Sequence, residues 1–299
     1  MGKVSVVINT LNEEKNLPRA IASVKGLADE IIVVDNYSDD KTVDIAKKLG
    51  AKVYMHPRTD YVEPVRNYAI SKATGEWLFI LDADEELSPG LGKILQKLVR
   101  KPKADYYRVP RKNVIFGKWI KHTDWWPDLN IRFFRNGHVV WSEIIHSIPV
   151  TTGKGLDLEV NEGNAIIHHN YQSIEQYIER LNRYTTIQAK FIIKSGHKFK
   201  WTDLLKESSH EFLRRYFTAQ GYKDGLHGLV LSILQGFSEF VVYLKVWQAF
   251  KFEPRDIGVT TVMKEIRKVE KELHYWRADT LLHEVGGLKQ RIKRKLRLP

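Results

Sequence analysis

Trp77-Leu78-Phe79-Ile80-Leu81-Asp82-Ala83-Asp84-Glu85-Glu86 is an apolar run that stops abruptly at carboxylates. A short, continuous apolar run is the pattern of a strand buried on both faces, as in a parallel sheet. Burying an unpaired charge is costly, so the acids belong at the strand's exposed end. Asp82 and Asp84, spaced i, i+2, can reach one hard divalent cation, and such a cation would also grip a diphosphate. The stretch points to an enzyme acting on a nucleotide-linked substrate.

Upstream of it the chain alternates strand and helix signals, as βαβ units do. Val4 to Ile8 reads as a strand leading into Asn9-Thr10-Leu11-Asn12-Glu13-Glu14. A helix near Asn16 to Val24 follows, with Leu17, Ala20, Ile21 and Val24 on one face. Glu30 to Val34 is a strand ending at Asp35, and Thr42 to Leu49 a helix stopped by Gly50. Ala51 to Met55, a helix from Val65 to Ala73, and the Trp77 strand complete the series. In an open parallel sheet, ligands bind beyond the strands' carboxyl ends. Asn9 to Glu13, Asp35, Asp82 and Asp84 are therefore expected to face one crevice, with Asn36, Ser38 and Asp39 as turn formers.

From Asp105 to Pro149 the pattern changes to short strands and aromatic-rich loops: Tyr106, Tyr107, Phe116, Trp119, Trp125, Trp126, Phe133, Phe134 and Trp141. Some must be core, and a ring or two beside polar groups would suit the apolar face of a sugar. Beyond Ser173 the chain reads as helical, so we divide it at 172/173, with an α/β domain followed by a helical region. Between Leu226 and Phe250 apolar residues recur at helical spacing. His227, Glu239 and Lys245 interrupt that face and argue against a clean transmembrane span. A buried packing helix is expected, with an in-plane membrane helix or a dimer face as alternatives.

Basic residues outnumber acidic ones 48 to 36, giving a net charge of +12. Such an excess favours polyanionic partners: nucleic acid, anionic lipid or a phosphorylated substrate. Residues 286–299 carry Lys289, Arg291, Lys293, Arg294, Lys295 and Arg297 with no acid, which suits either plain solvation or an anionic membrane. The absence of cysteine excludes disulfides, thiolate ligands and a cysteine nucleophile. Val4 to Ile8 is too short for a signal peptide, so a cytoplasmic location is expected.

Together these segments resemble a family 2 glycosyltransferase of GT-A fold. The resemblance rests on Val4 to Glu14, on Asp29 to Asp35, on Arg66-Asn67-Tyr68-Ala69, on Ala73 to Trp77 and on Asp82-Ala83-Asp84. The second half resembles the lipopolysaccharide-core glucosyltransferase branch. It does so through Pro127-Asp128 with Arg132-Phe133-Phe134-Arg135, through Ile144-Ile145-His146, through His168-His169-Asn170-Tyr171 and through Phe212 to Tyr216 with Gly221 to Gly225. One departure is Ser147, where that branch has a Glu after the histidine.

The resemblance implies a Rossmann-like, mostly parallel sheet flanked by helices, with a helical C-terminal extension. It also implies a nucleotide-sugar donor such as UDP-glucose, a glycan or lipid-linked acceptor, and Mg2+ or Mn2+. Asp84 would bind the metal, Asp82 would orient ribose or metal, and His146 would complete the shell, with His168 and His169 as other candidates. Thr10, Asn12, Glu13 and Asp35 would hold base and ribose, and Arg66 base or phosphate. Asp128 is the expected general base, with Glu143 in reserve; Arg132 and Arg135 are candidates for phosphate. The expected setting is the inner face of a membrane, in peripheral contact with anionic lipid.

Three other readings compete. A nucleotidyltransferase would carry a Gly-rich loop after the first strand, and Asn9-Thr10-Leu11-Asn12 has no glycine. A basic nucleic-acid-binding protein fits the charge, but no helix-turn-helix, zinc-finger or RNP pattern is present, and nucleic acid is not expected as a partner. A catalytically inactive, membrane-associated scaffold would be expected to have lost the acids, which are all in place.

Overall fold

The computed structural model describes residues 2–59, 63–141 and 149–299. In chain order the first elements are β1 (Val4–Thr10), α1 (Leu17–Val24), β2 (Glu30–Asp35), α2 (Thr42–Lys48), β3 (Lys52–Met55), α3 (Glu63–Ser71) and β4 (Trp77–Asp82). Next come β5 (Glu85–Leu87), α4 (Pro89–Arg100), β6 (Tyr106–Val109), β7 (Arg111–Ile115), β8 (Lys118–Trp119), β9 (Asn130–Arg135), β10 (Val139–Val140), β11 (Val150–Thr151), β12 (Gly155–Asp157) and β13 (Ile166–His169). The remainder is helical: α5 (Ile174–Lys194), α6 (Trp201–Leu213), α7 (Leu226–Ala249), α8 (Val259–Glu284) and α9 (Leu288–Leu296).

The main sheet runs β12-β6-β9-β4-β1-β2-β3. β4, β1, β2 and β3 are mutually parallel, and β9 joins β4 antiparallel. Burial on both faces explains the apolar runs Val6 to Ile8 of β1 and Trp77 to Leu81 of β4, while buried Ser5 donates to Glu30 Oε1 at 2.6 Å. α1 buries the predicted face, Leu17, Ala20, Ile21 and Val24, and Pro18 in its first turn forfeits no helical hydrogen bond. Fully burying each large aliphatic chain contributes about 1.5–3 kcal/mol. On the opposite sheet face Val7, Ile32, Val34, Leu78, Ile80 and Phe134 pack with Val65 and Ala69 of α3.

Tyr107, Phe133 and Phe134 are core residues, and Phe133 stacks on Trp77 with ring centroids 4.8 Å apart. A smaller sheet pairs β13 antiparallel with β5 and parallel with β7, placing His168 opposite Glu85 and Asn113.

The chain divides into two compact units, Met1–Ile115 with Trp126–Asn170, and Phe116–Trp125 with Tyr171–Pro299. The segment 116–125, read from sequence as part of the first domain, belongs to the second. Buried Asp224 explains this: its carboxylate accepts hydrogen bonds from the backbone N–H of Lys121 and His122, at 3.3 and 2.8 Å. Within the second unit α7 packs against α5 and α6, burying Gly228, Leu231, Ser232, Gly236, Val242 and Val246. Among the described residues α7 is the one helix long and apolar enough to cross a membrane by length and composition. Lys245 is accommodated because its Nζ reaches Asn182 O, Asn182 Oδ1, Thr185 Oγ1 and Thr186 Oγ1 on α5, at 2.6–2.8 Å.

Candidate active site

Strand register brings the polar ends together as expected for a parallel sheet. Asn9 lies opposite Asp82 of β4, and Thr10 opposite Asp35 of β2. Thr10 Oγ1 donates to Asp35 Oδ2 at 2.9 Å, and Ser38 Oγ donates to the same oxygen at 2.6 Å. Asn12 takes a left-handed φ of 58°, tolerable for asparagine, and its Oδ1 accepts from Asp39 N at 2.8 Å. Ser38 Oγ accepts from Asn12 N at 2.8 Å, so Ser38 and Asp39 fasten the two loops rather than merely forming a turn. Glu13 starts α1: its carbonyl accepts from Leu17 N, and its Oε2 from Asn16 Nδ2 at 2.8 Å. Thr10, Asn12, Glu13 and Asp35 thus form one preassembled rim, in which the Thr10–Asp35, Asn12–Ser38 and Asn12–Asp39 hydrogen bonds join residues 25 to 27 apart.

Beside this rim, three arginines alternate with three carboxylates. Arg66 Nη2 meets Asp82 Oδ1 at 3.2 Å, and Arg132 Nη2 meets Asp82 Oδ2 at 2.8 Å and Glu85 Oε1 at 2.9 Å. Arg111 continues the chain to Glu85 Oε1 at 3.2 Å and Asp128 Oδ2 at 2.7 Å. Glu85 is fully buried, and its other oxygen accepts from Asp82 N at 2.9 Å, closing the turn after β4. Burial alone would push the Asp82 carboxyl up, but Arg132 and then Arg66 override it and hold it well below the usual carboxylate range. Asp128 is also lowered: burial opposes ionisation, while Arg111, Asn113 and Asn130 favour it. Arg111 and Arg132 are correspondingly held in the charged form by these carboxylates, against their own burial.

Asp84 stands next to His168. Its Oδ2 is 3.5 Å from His168 Nε2, and both side chains are about nine-tenths buried. Asn113, fully buried, fixes which ring nitrogen of that histidine donates toward it. Its Nδ2 donates to Asp128 Oδ2 at 2.9 Å, and an ionised carboxylate can only accept. The amide is therefore oriented with Oδ1 toward His168 Nδ1, 2.6 Å away, which must carry a proton to donate. A neutral imidazole in this tautomer turns the Nε2 lone pair toward Asp84. A histidine oriented through its other nitrogen, next to a carboxylate, is the donor set of a metal site. Among the described residues no group of three His, Asp, Glu or Cys side chains converges on one point. Asp84 and His168 are the described residues whose donor chemistry fits a divalent metal here.

Arg66 is buried and lies over Trp141, 5.6 Å from the ring centroid. Both oxygens of Asp82 are engaged by guanidinium groups, which makes it an electrostatic partner of the arginines. Arg135 stands at the far end of the sheet, opposite Trp77 in register and 5.2 Å from its ring centroid, so it is remote from the strand ends. His169 pairs with Glu86, which also meets Arg19 at 3.0 Å. Glu143 and His146 lie outside the described residues. Glu85's part in the ion-pair chain, Arg111 and Asn113 escaped the sequence reading. Arg111 and Asn113 belong to no motif, and only the pairing of β7 with β13 brings them to the site.

The family model for glycosyl transferase family 2 matches residues 5–156, more than half of the chain, from within β1 into β12. The chain belongs to glycosyl transferase family 2. An uncharacterised glycosyltransferase of Rickettsia typhi is 35% identical over 255 residues, covering 82% of this transferase and 87% of the relative. The lipopolysaccharide core biosynthesis glycosyltransferase LpsC of Rhizobium meliloti is 26% identical over 265 residues, covering 84% and 94%. A solved Staphylococcus aureus TarS chain in complex with UDP superposes with a TM-score of 0.45 at 16% identity, covering 86% of this chain and 94% of that one. The mostly parallel sheet with flanking helices and C-terminal helices is the GT-A arrangement of this family 2 transferase. The family match favours a transferase over the nucleotidyltransferase, nucleic-acid-binding and inactive-scaffold readings.

Proposed function

We propose that this family 2 glycosyltransferase moves a hexose, with inversion, from a nucleotide-sugar donor to a lipid-linked or cell-surface glycan. UDP-glucose is the donor to try first, and a lipopolysaccharide core the acceptor. The name of the Rhizobium relative supports the acceptor class. The observation that carries the mechanism is the juxtaposition of Asp84 and His168 beside the arginine-held Asp82 at the carboxyl end of β4.

In this reading Thr10, Asp35 and the loops behind them receive base and ribose, and Arg66 the base or a phosphate. Asp84 and His168 hold a Mg2+ or Mn2+ ion, which when bound neutralises charge on the departing diphosphate. The imidazole in the set tilts the choice toward Mn2+. The acceptor hydroxyl oxygen bonds to the anomeric carbon as the carbon–oxygen bond to the diphosphate breaks. Its proton passes to Asp128. Oδ1 of Asp128 accepts from Asn130 Nδ2 at 2.9 Å, leaving that oxygen a further lone pair, whereas Oδ2 is occupied by Arg111 and Asn113. The basic C-terminal helices support peripheral contact with an anionic membrane at its cytoplasmic face.

The test is metal-dependent release of nucleotide from purified protein given UDP-, GDP-, ADP- and CMP-sugars. One donor should be turned over slowly, only with Mn2+ or Mg2+, and Asp84→Ala should abolish this with thermal stability retained. Full activity of Asp84→Ala with added metal would overturn the metal role, and silence with every donor would overturn the donor assignment.

A further inference from the structure

Tyr37 holds a backbone conformation that its side chain disfavours. Its φ is 56°, in the left-handed region that glycine enters freely and in which a bulky residue is an outlier. The loop after β2 is built to keep it there. Arg58 donates to the Tyr37 carbonyl from Nη2 at 2.6 Å and from Nε at 3.2 Å, and its guanidinium also pairs with Asp39. On either side of Tyr37, Asn36 Nδ2 donates to Pro57 O at 3.0 Å and Ser38 N to Asp35 Oδ1 at 2.8 Å. Strain of this kind persists where surrounding contacts over-determine it, and it concentrates at ligand sites.

The strained backbone presents an aromatic ring to the outside: Tyr37 is 55% exposed, whereas Ile32, Val33 and Val34 before it are fully buried. Its neighbour across the loops is Leu11. Asn36 N donates to Thr10 O at 2.9 Å and Asn12 N to Ser38 Oγ at 2.8 Å, so the residues between, Leu11 and Tyr37, stand opposite each other. Leu11 is 38% exposed, while Thr10 and Asp35 are enclosed. The accessible surface of this part of the rim is therefore an aliphatic chain and a ring. Sheet order says which part of a donor reaches it. Asp128 lies just before β9, which flanks β4 on one side, and β1 and then β2 follow on the other. With the diphosphate at Asp84 and His168 after β4, the reacting sugar lies toward Asp128. The base then lies toward β2, about 10 Å across the sheet from β4, and every base offers a π face to an aromatic ring.

We propose that Tyr37 stacks on the nucleobase of the donor, with Leu11 bordering the same surface. The inference rests on the reading that a nucleotide-sugar binds at the carboxyl ends of these strands. It assigns the ring an affinity that any base can use, separate from the contacts that choose among bases.

The test titrates the full-length wild type, Tyr37→Gly and Tyr37→Phe with UDP, GDP, ADP, CMP and inorganic pyrophosphate in the presence of Mn2+, by calorimetry. Glycine accepts this φ without strain, so Tyr37→Gly removes the ring and leaves the loop its shape, with the thermal midpoint not lowered. The nucleotide that the wild type binds best should bind Tyr37→Gly about 5–150-fold more weakly, the range that loss of one stacked base gives. Tyr37→Phe, which keeps the ring, should restore the affinity, and pyrophosphate should bind all three proteins alike. Undiminished nucleotide affinity in Tyr37→Gly would overturn the stacking while leaving the donor reading standing. Equal losses for nucleotide and pyrophosphate would also overturn it, because the ring would then be shaping the loop and not meeting a base. Wild-type protein that binds none of the nucleotides would overturn both readings.

Discussion

Replacing Arg132 by methionine tests the arginine–carboxylate chain at its centre. Arg132 is 3% exposed and pairs with Asp82 at 2.8 Å and with fully buried Glu85 at 2.9 Å. Three cations, Arg66, Arg111 and Arg132, balance three anions, Asp82, Glu85 and Asp128. The substitution leaves one anion in excess, and fully buried Glu85 has no water to stabilise it in place of Arg132. Removing one partner of a buried pair costs about 3–5 kcal/mol. At about 2–4 °C per kcal/mol for a unit of this size, the melting point should fall on the order of 10 °C at pH 7. Removing Glu85 as well, in Arg132→Met/Glu85→Met, restores the balance and should recover most of the loss.

The dependence on pH has a definite sign. Asp82 is held below its unfolded value, so its stabilising contribution is full above an unfolded carboxyl pKa of about 4 and disappears as pH falls through the folded one. Arg132→Met removes much of that contribution. The gap between variant and wild type should therefore be widest above about pH 5 and shrink below about pH 4. Thermal unfolding of all three proteins from pH 3.5 to 7.5 measures it. A loss under about 1 kcal/mol at pH 7, a gap indifferent to pH, or a double variant no better than the single would each refute the reasoning.

Three further outcomes are expected. Asn113→Leu frees His168 from its tautomer-setting partner, so Mn2+ affinity, read by calorimetry on the folded protein, should weaken about 10–100-fold; unchanged affinity would remove His168 from the metal site. Asp128→Asn should lower kcat about 10²–10⁴-fold with donor binding intact. Because Arg111 keeps Asp128 ionised, the acidic limb of the wild-type kcat profile should lie below pH 4, and a limb near pH 6 would point to a different base. Lys245→Met strips four contacts between α7 and α5, and should cost the second unit about 1–3 kcal/mol in urea unfolding; an unchanged midpoint would make that clasp energetically idle.

Much of the first unit is legible in order along the chain. Strands buried on both faces must be continuously apolar, and the polar residue at which each run stops marks a carboxyl end. That argument puts Thr10, Asp35 and Asp82 at the carboxyl ends of their strands, where the register has them, with Asp84 in the turn after β4. The helix face of α1 follows from spacing alone, since 3.6 residues per turn allow one solution for Leu17, Ala20, Ile21 and Val24. The tasks of individual side chains were less legible. Asn12 and Ser38 read as ligand and turn residue, whereas their hydrogen bond and that of Asn12 to Asp39 show both building the same loop junction.

By itself the sequence determined the alternating βα order, the acidic strand end and the family, because each depends on local periodicity or on residues a few positions apart. Only the tertiary structure decided which charges neutralise one another. Asp82 finds Arg66 sixteen residues away and Arg132 fifty residues away, and His168 receives its orientation from Asn113 across 55 residues. It also decided that 116–125 joins the second unit, through the carboxylate of Asp224. Such contacts obey geometry and desolvation, with no period along the chain, so nothing short of the folded backbone specifies them.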